Sequence, residues 1–375
     1  GRLNRFQNQG ESYPDLGFHL IGEPLAGDRM TFFSESHLGV QRYAYDNALH
    51  RRNSHHLLRA DTRQEVSWPL HIGPLHVTPY AVGRASHWGD VPPDGQTCRL
   101  FAQAGAKASM TFWRTLPDVE SRLWDVHGLR HVVTPEAVAF WGGANADPWD
   151  AYPLTPGIET DLRRQSAVAV GLRQRLQTTR GPAGDRATVD WMRLELLAGI
   201  YDNGPDPQTS NGRFFFDRPE YSIGRNHLNA KYAWYISDAT SFLADLNYDL
   251  PSGRVARTNL GLAVVRDPRL RYYLGWRRIE DADSSVATAG LSYKLNRKYT
   301  VQLLEQYDLD FDSHTNLLSS ISIIRKLPRW YASFTFTYDQ RDDEVIAYVT
   351  FWPEGIPEVR LGSGQFSLLS GSSEN

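Results

Sequence analysis

Period-two alternation carried through long runs constrains this chain more than any other feature. In RWYASFTFTYDQRDDEVIAYVTFWPEG, residues 329–355, Trp330, Ala332, Phe334, Phe336 and Tyr338 fall on one side of the chain. Tyr331, Ser333, Thr335, Thr337 and Asp339 fall on the other. That is the period of a strand with one apolar and one polar face. The turn DQRDDE leads into a second arm with Val345, Ala347, Val349 and Phe351 on one parity and Glu344, Ile346, Tyr348, Thr350 and Trp352 on the other. The pair is a β-hairpin, and what remains is which solvent each face meets.

The same pattern recurs along the chain. Residues 101–113 place Ala102, Ala104, Ala106, Ala108, Met110 and Phe112 opposite Gln103, Lys107, Ser109 and Thr111. Residues 228–237 set Leu228, Ala230, Tyr232, Trp234 and Ile236 against Asn229, Lys231 and Ser237, and 242–249 set Phe242, Leu246 and Tyr248 against Asp245, Asn247 and Asp249. Residues 258–265 carry Leu260, Leu262 and Val264, and 287–295 oppose Leu291 and Tyr293 to Ser292 and Lys294. Further strands are expected near 29–45, 55–68, 75–88, 132–142, 165–179, 187–202, 269–279, 299–309 and 314–326, for a total of roughly sixteen. Short connections such as SDAT, RDPR and KLPR alternate with long polar ones at 142–161 and 202–227.

Two architectures compete. A soluble β-protein buries its apolar face against a second sheet and uses strands of about five or six residues. Many runs here match the roughly 9–11 residues with which a tilted strand crosses a bilayer. A stripe of alanines such as 102–108 packs a soluble core poorly but is acceptable against lipid or a protein neighbour. Aromatic residues cluster near strand ends, at Tyr299, Tyr307, Trp330, Tyr338 and Trp352, where interfacial girdles form in membrane barrels. A propeller would show a repeated blade motif. The expected fold is therefore all-β: an antiparallel transmembrane β-barrel, or the C-terminal part of a larger one. The barrel domain is expected over 1–355, with a poorly ordered tail at 356–375.

Composition closes off other classes. Hydrophobic residues make up 41% of the chain and the mean hydropathy is -0.47, far from the apolar runs of a membrane helix. The net charge of -3 argues for no nucleic-acid partner. The single Cys98 permits no internal disulfide. The opening GRLNRFQNQGES carries no apolar leader and no Met, as expected of a piece of a longer precursor.

Sites of chemistry are sparse. HRRNSHH at 50–56 lacks the spacing of a zinc hydrolase and reads as a solvated loop. Asp308, Asp310 and Asp312 have calcium-loop spacing without its Gly and distal Glu. Nucleophile elbows, phosphate loops and dinucleotide fingerprints do not occur. No catalytic residue, metal or cofactor is expected, and the chain is not read as an enzyme. Arginines are more informative, because on a lipid-facing side each would cost about 2–4 kcal/mol at the midplane. Arg173 and Arg175 share a face opposite Leu172 and Leu176, so they are expected to point inward with Lys107 as contacts for a phosphate-bearing amphiphile. General lumenal polarity explains them equally well. Pro79 falls inside an apparent strand, where it removes a ladder donor, and marks a candidate seam or bulge.

Two stretches carry a family resemblance. DVESRLWDVHGLRHVVTPEAVAFW, residues 118–141, resembles a segment of the LPS-assembly protein LptD (organic solvent tolerance protein, OstA) family in which an Arg-His pair precedes a proline and an alternating aromatic strand; here these are Arg130, His131 and Pro135. YPDLGFHLIGEPLAGDRMTFFSESHLGVQRY, residues 13–43, is similar to that family's proline-bearing lead-in strand and the long strand after it. The resemblance implies a translocon, integral to the bacterial outer membrane, that inserts lipopolysaccharide into the outer leaflet through a laterally opening barrel. It implies as partners lipopolysaccharide, a plug lipoprotein of the LptE type, periplasmic LPS bridge proteins and the barrel-insertion machinery. Phe351 and Trp352 resemble the aromatic-terminated signal which that machinery reads. The family's larger strand number and periplasmic domain are not matched here. The alternative is a passive diffusion porin-like channel of about sixteen strands, with residues 202–227 as its constricting loop.

Overall fold

A computed structural model describes residues 9–45, 54–93, 95–147, 150–155, 159, 162–182, 184–202, 210–310, 315–340 and 343–355. The expected tail at 356–375 and residues 50–53 and 312 of the motifs above lie outside the described residues.

Nineteen strand segments form one antiparallel sheet. They are β1 (Gln9–Leu25), β2 (Met30–Ala44), β3 (His55–Ser67), β4 (Leu70–Ile72), β5 (Leu75–Trp88), β6 (Cys98–Met110), β7 (Phe112–Ser121), β8 (Val126–Ala144), β9 (Gln165–Arg180) and β10 (Ala187–Tyr201). The remainder are β11 (His227–Tyr235), β12 (Thr240–Asp249), β13 (Arg254–Asp267), β14 (Leu270–Ile279), β15 (Ser284–Lys294), β16 (Tyr299–Asp308), β17 (Asn316–Leu327), β18 (Trp330–Asp339) and β19 (Glu344–Pro353). Chain order is sheet order, apart from two doubled positions: β3 and β4 both pair with β5, and β6 and β7 both pair with β8. Counting each doubled position once leaves seventeen successive positions. This is the up-and-down order of a barrel wall. Among the described residues, β1 pairs only with β2 and β19 only with β18.

Both interruptions sit opposite a proline. The β3 ladder ends at Ser67↔Tyr80 and that of β4 begins at Leu70↔Val77, so Pro79 faces the gap, where its carbonyl accepts the Trp68 N–H at 2.9 Å. The β6 ladder ends at Ser109↔Glu136 and that of β7 begins at Phe112↔Val133, leaving Pro135 at the second gap. A proline cannot donate to the ladder, and the facing strand breaks there. Pro79 pairs with Ala106 of β6, and the β3 and β4 ladders keep the same register across the gap, so β5 runs through the proline with no residue inserted there. Residues 112–121, of which only 112–113 fell within an expected strand, form β7, with Pro117 taken up by a register shift between Leu116 and Glu120. The strand β1 tolerates Pro14 because it lies at a bulge between Tyr13 and Asp15 on a strand paired on one side.

Alternation assigns the faces. Phe334, Phe336, Leu246, Leu260, Ile323 and Val349 stand exposed on the outer face. Across the register Asp245 pairs with Asn259, Ser292 with Gln302 and Thr335 with Ser322, all on the opposite, inner face. The buried apolar clusters are not between sheets. Tyr80, Val82, Val138, Phe140, Ala169 and Tyr201 are covered by Phe214 and Phe216. Tyr43, Leu57 and Trp88 are covered by Ala151, Tyr152 and Leu154. Two connecting segments thus fold back onto the inner face and bury these apolar wall residues.

Candidate functional site

The inner face divides into a filled half and an open half. The filled half is held by arginines that the strands β3, β5 and β6 project at alternate positions: Arg59, Arg63, Arg84 and Arg99, all buried. Glu159 accepts from Arg59 Nε at 2.7 Å and from Trp88 Nε1 at 3.3 Å, its other oxygen takes the Thr155 N–H at 2.8 Å, and its backbone carbonyl accepts from Arg99. Glu220 accepts from Arg63 at 2.7 Å, while Arg63 also reaches Glu65. Arg84 forks onto Asp61 at 2.5 and 3.0 Å and donates to the Tyr221 hydroxyl, and Ser86 donates to the same Asp61. Such forked pairing supplies geometry as well as charge, and it leaves these buried cations compensated.

Residues 210–226 cross this half. Pro219–Tyr221 form a single 3-10 turn, and Arg213 bridges to Ile223. At one end Asn247 of β12 donates to the Gly212 carbonyl at 2.9 Å, and Arg225 forks onto Asp249 at 2.6 and 2.9 Å. Further along, Arg218 donates to Glu35 of β2 at 2.6 Å. Burial pulls the Arg218 guanidinium down, but the hydrogen bond and charge of Glu35 outweigh it and hold the group above its ordinary range. One short segment therefore touches strands from β2 to β12, which requires the inner face to be concave. Lumenal glycines give its aromatic neighbours room: a Cβ at Gly105 would meet the Tyr80 hydroxyl at 2.7 Å, so Tyr80 rests against bare backbone.

The open half is a cavity of about 550 Å³ on the inner face of β10 to β16. Register lines its wall with a belt running across the strands. Arg173 of β9 faces Glu195, Glu195 faces Lys231, Lys231 faces Asp245, Asp245 faces Asn259, and Asn259 faces Arg277. Opposite charges in neighbouring cross-strand positions stabilise one another. Arg173 also binds Glu136 at 2.6 Å, and Asp245 accepts from Arg257 and Asn259, each at 3.0 Å. The lining presents both signs and ample hydrogen-bonding capacity to whatever enters.

The residues singled out from sequence separate accordingly. Arg173 and Arg175 share the inner face, Arg173 within the belt and Arg175 one row away opposite Arg193. Lys107 is on the same face but in the filled half, where its Nζ donates to the Asp217 carbonyl at 3.3 Å and lies over Tyr80. The three do not gather at one point. Arg130 lies over Trp113, His131 Nε2 meets Gln174 Oε1 at 3.1 Å, and Pro135 stands at the β7 gap. Phe351 is exposed on the outer face, whereas Trp352 stacks on Tyr331 at 5.5 Å on the inner one. His55 pairs with Asp90 at 2.8 Å and stacks on Tyr152. The Asp310 N–H folds back onto the Asp308 carboxylate. Sequence reasoning missed Glu159 and Glu220. Both lie in long polar connections, and only their acidic character opposite a run of inward arginines could have drawn attention to them.

No family model matches the chain, and no curated protein matches it. Solved structures superpose weakly. A mutant of the Rhodopseudomonas blastica porin aligns over 86% of this chain and 99% of its own, with 13% identity and a TM-score of 0.35. A triple mutant of the same porin aligns over 89% and 100%, with 13% identity and a TM-score of 0.33. A structure described as "Asymmetric conductivity of engineered proteins" gives 89%, 100%, 13% and 0.34. Superpositions of this quality decide neither topology nor function.

Proposed function

We propose that this chain is an outer-membrane β-barrel that passes small polar solutes through a lumen narrowed by its own inward-folded segments. The observation that carries the proposal is the charge-alternating belt, whose members from Glu195 to Arg277 line an open cavity on the inner face. Among the described residues no helix is long and apolar enough to cross a membrane, so spanning falls to the strands. Their outer residues suit a hydrocarbon slab, while the belt suits water and ions. Transport here needs no catalytic group or cofactor. The test is reconstitution of the purified chain into planar lipid bilayers. The proposal expects discrete conductance steps with weak ion selectivity, because acidic and basic groups alternate. A chain that inserts without conducting would defeat it.

A second reading, lipopolysaccharide insertion as in the LptD family, draws on β1 and β19, each paired on one side among the described residues, and on the inward Arg173 and Arg175. On that reading a plug lipoprotein and periplasmic bridge proteins would be partners. Saturable binding of lipopolysaccharide that Arg173→Ala and Arg175→Ala weaken, in protein that conducts no ions, would favour it over the channel.

A further inference from the structure

A second group of side chains, at the opposite end of the sheet from the cavity, has the composition of a metal centre. His19 of β1 lies directly opposite Glu35 of β2, and His37 is two residues further along the same face. One ligating atom from each of the three falls within 4.8 Å of the others. The His37 Nε2 to Glu35 Oε1 distance is 3.6 Å. Two ligands held at zinc-bond lengths in tetrahedral geometry lie about 3.3 Å apart, so small rotations would bring these atoms onto one ion.

We propose that His19, Glu35 and His37 form a lumenal binding site for a divalent transition-metal ion, zinc foremost, with Asp15 and Arg218 orienting the ligands. Three further observations support a built arrangement. Asp15 Oδ2 faces His37 Nδ1 at 3.6 Å, an ion-pair distance from which a slight approach would make the carboxylate–imidazole hydrogen bond that holds a ligating histidine with Nε2 toward the metal. Arg218 occupies Glu35 Oε2 at 2.6 Å and so presents Oε1 to the ion. Gly17 lies between the rings: a Cβ there would stand 3.2 Å from His19 Nε2 and 3.4 Å from His37 Cε1, so the missing side chain lets the two imidazoles converge. Two imidazoles and a carboxylate leave one tetrahedral position for water or a passing ligand. Since β1 pairs only with β2 among the described residues, the ion would pin this strand to the wall, and through Arg218 to residues 210–226. No helical spacing announces the site because its ligands come from two strands.

The test uses the whole chain in detergent, titrated with zinc by calorimetry and with cobalt by visible absorption. One ion per chain is expected, with a tetrahedral cobalt spectrum. Asp15→Asn should weaken binding about 10–100-fold, as loss of an orienting partner does, and His37→Ala or Glu35→Gln should weaken it further. The double variant His71→Ala, His76→Ala removes a different histidine pair, with ring centroids 4.5 Å apart, and should leave the titration unchanged. Heat-modifiable gel mobility checks that each variant is folded. If folded His37→Ala and folded Glu35→Gln bind zinc as the parent does, or if the parent takes up no zinc at millimolar concentration, the site is refuted.

Discussion

Replacing Glu220 with Gln separates a charge from its partner with little change of shape. The Glu220 side chain is 1% exposed and that of Arg63 is 5% exposed, with 2.6 Å between their nearest charged atoms. Removing one member of a buried pair typically costs about 3–5 kcal/mol, because the other is left uncompensated. Arg63 keeps a second acceptor in Glu65 at 2.7 Å, which places the expected cost at the low end, about 3 kcal/mol. The wall has its own hydrogen-bonded ladders, so the loss falls on the contact between residues 210–226 and β3. At 1.4 kcal/mol per tenfold, the released population of that segment should rise about a hundredfold. Single-channel recording should then show larger or noisier conductance, and limited proteolysis should cut within 210–226 faster than in the parent. Replacing both partners with Leu should recover part of the loss, since it leaves only the less buried Glu65 without its cation. If Glu220→Gln conducts and resists protease as the parent does, the segment is not held by this pair and the reasoning fails.

Three other outcomes are expected. Asp245→Ala leaves Lys231 and Arg257 without their shared acidic neighbour, so the reversal potential in a salt gradient should move toward anion preference, and Lys231→Ala should move it the other way. Pro79→Val supplies a donor at the β3 gap and should stabilise the folded chain by about 1 kcal/mol, read by thermal melting, with conductance unchanged. Phe351→Ser with Trp352→Ser should reduce membrane assembly in cells more than Ile321→Ser with Ile323→Ser, a pair on the outer parity of β17, measured as heat-modifiable protein in the membrane fraction.

Strand existence and facing were legible because both follow from local alternation. Phe334 and Thr335 differ by one residue and must point oppositely once they lie in a ladder, whatever the rest of the chain does. The same logic placed Arg173 and Arg175 inward. The sequence could offer residues 202–227 as a constricting loop but could not show that Phe214 and Phe216 cover Tyr80 and Phe140, since strand alternation says nothing of where a connection lies. The apolar patch beneath was equally hidden: Val82 and Val138 occupy inner-face parities that a water-filled lumen would give to polar residues. The strand β7 was missing from the expected strands beyond residue 113, where Pro117 and the register shift beside it interrupt a regular ladder. The belt of alternating charge lay in plain view as single residues but depended on the registers of six strands.

The pairs that hold the inner segments join parts of the chain made at very different times. Arg59 and Glu159 are 100 residues apart, Arg63 and Glu220 157, and Glu35 and Arg218 183. During synthesis and insertion, Arg84 has Asp61 and Arg63 has Glu65 at hand in the first third of the chain, but Arg59 waits for Glu159 and Arg63 for its second acid, Glu220. The strand β3, which carries both, cannot reach its final packing alone. Contacts this distant in sequence form late and slow the folding that depends on them. The final packing of β2 to β6 is therefore tied to the arrival of residue 220, so this part of the wall and the segments it holds settle together.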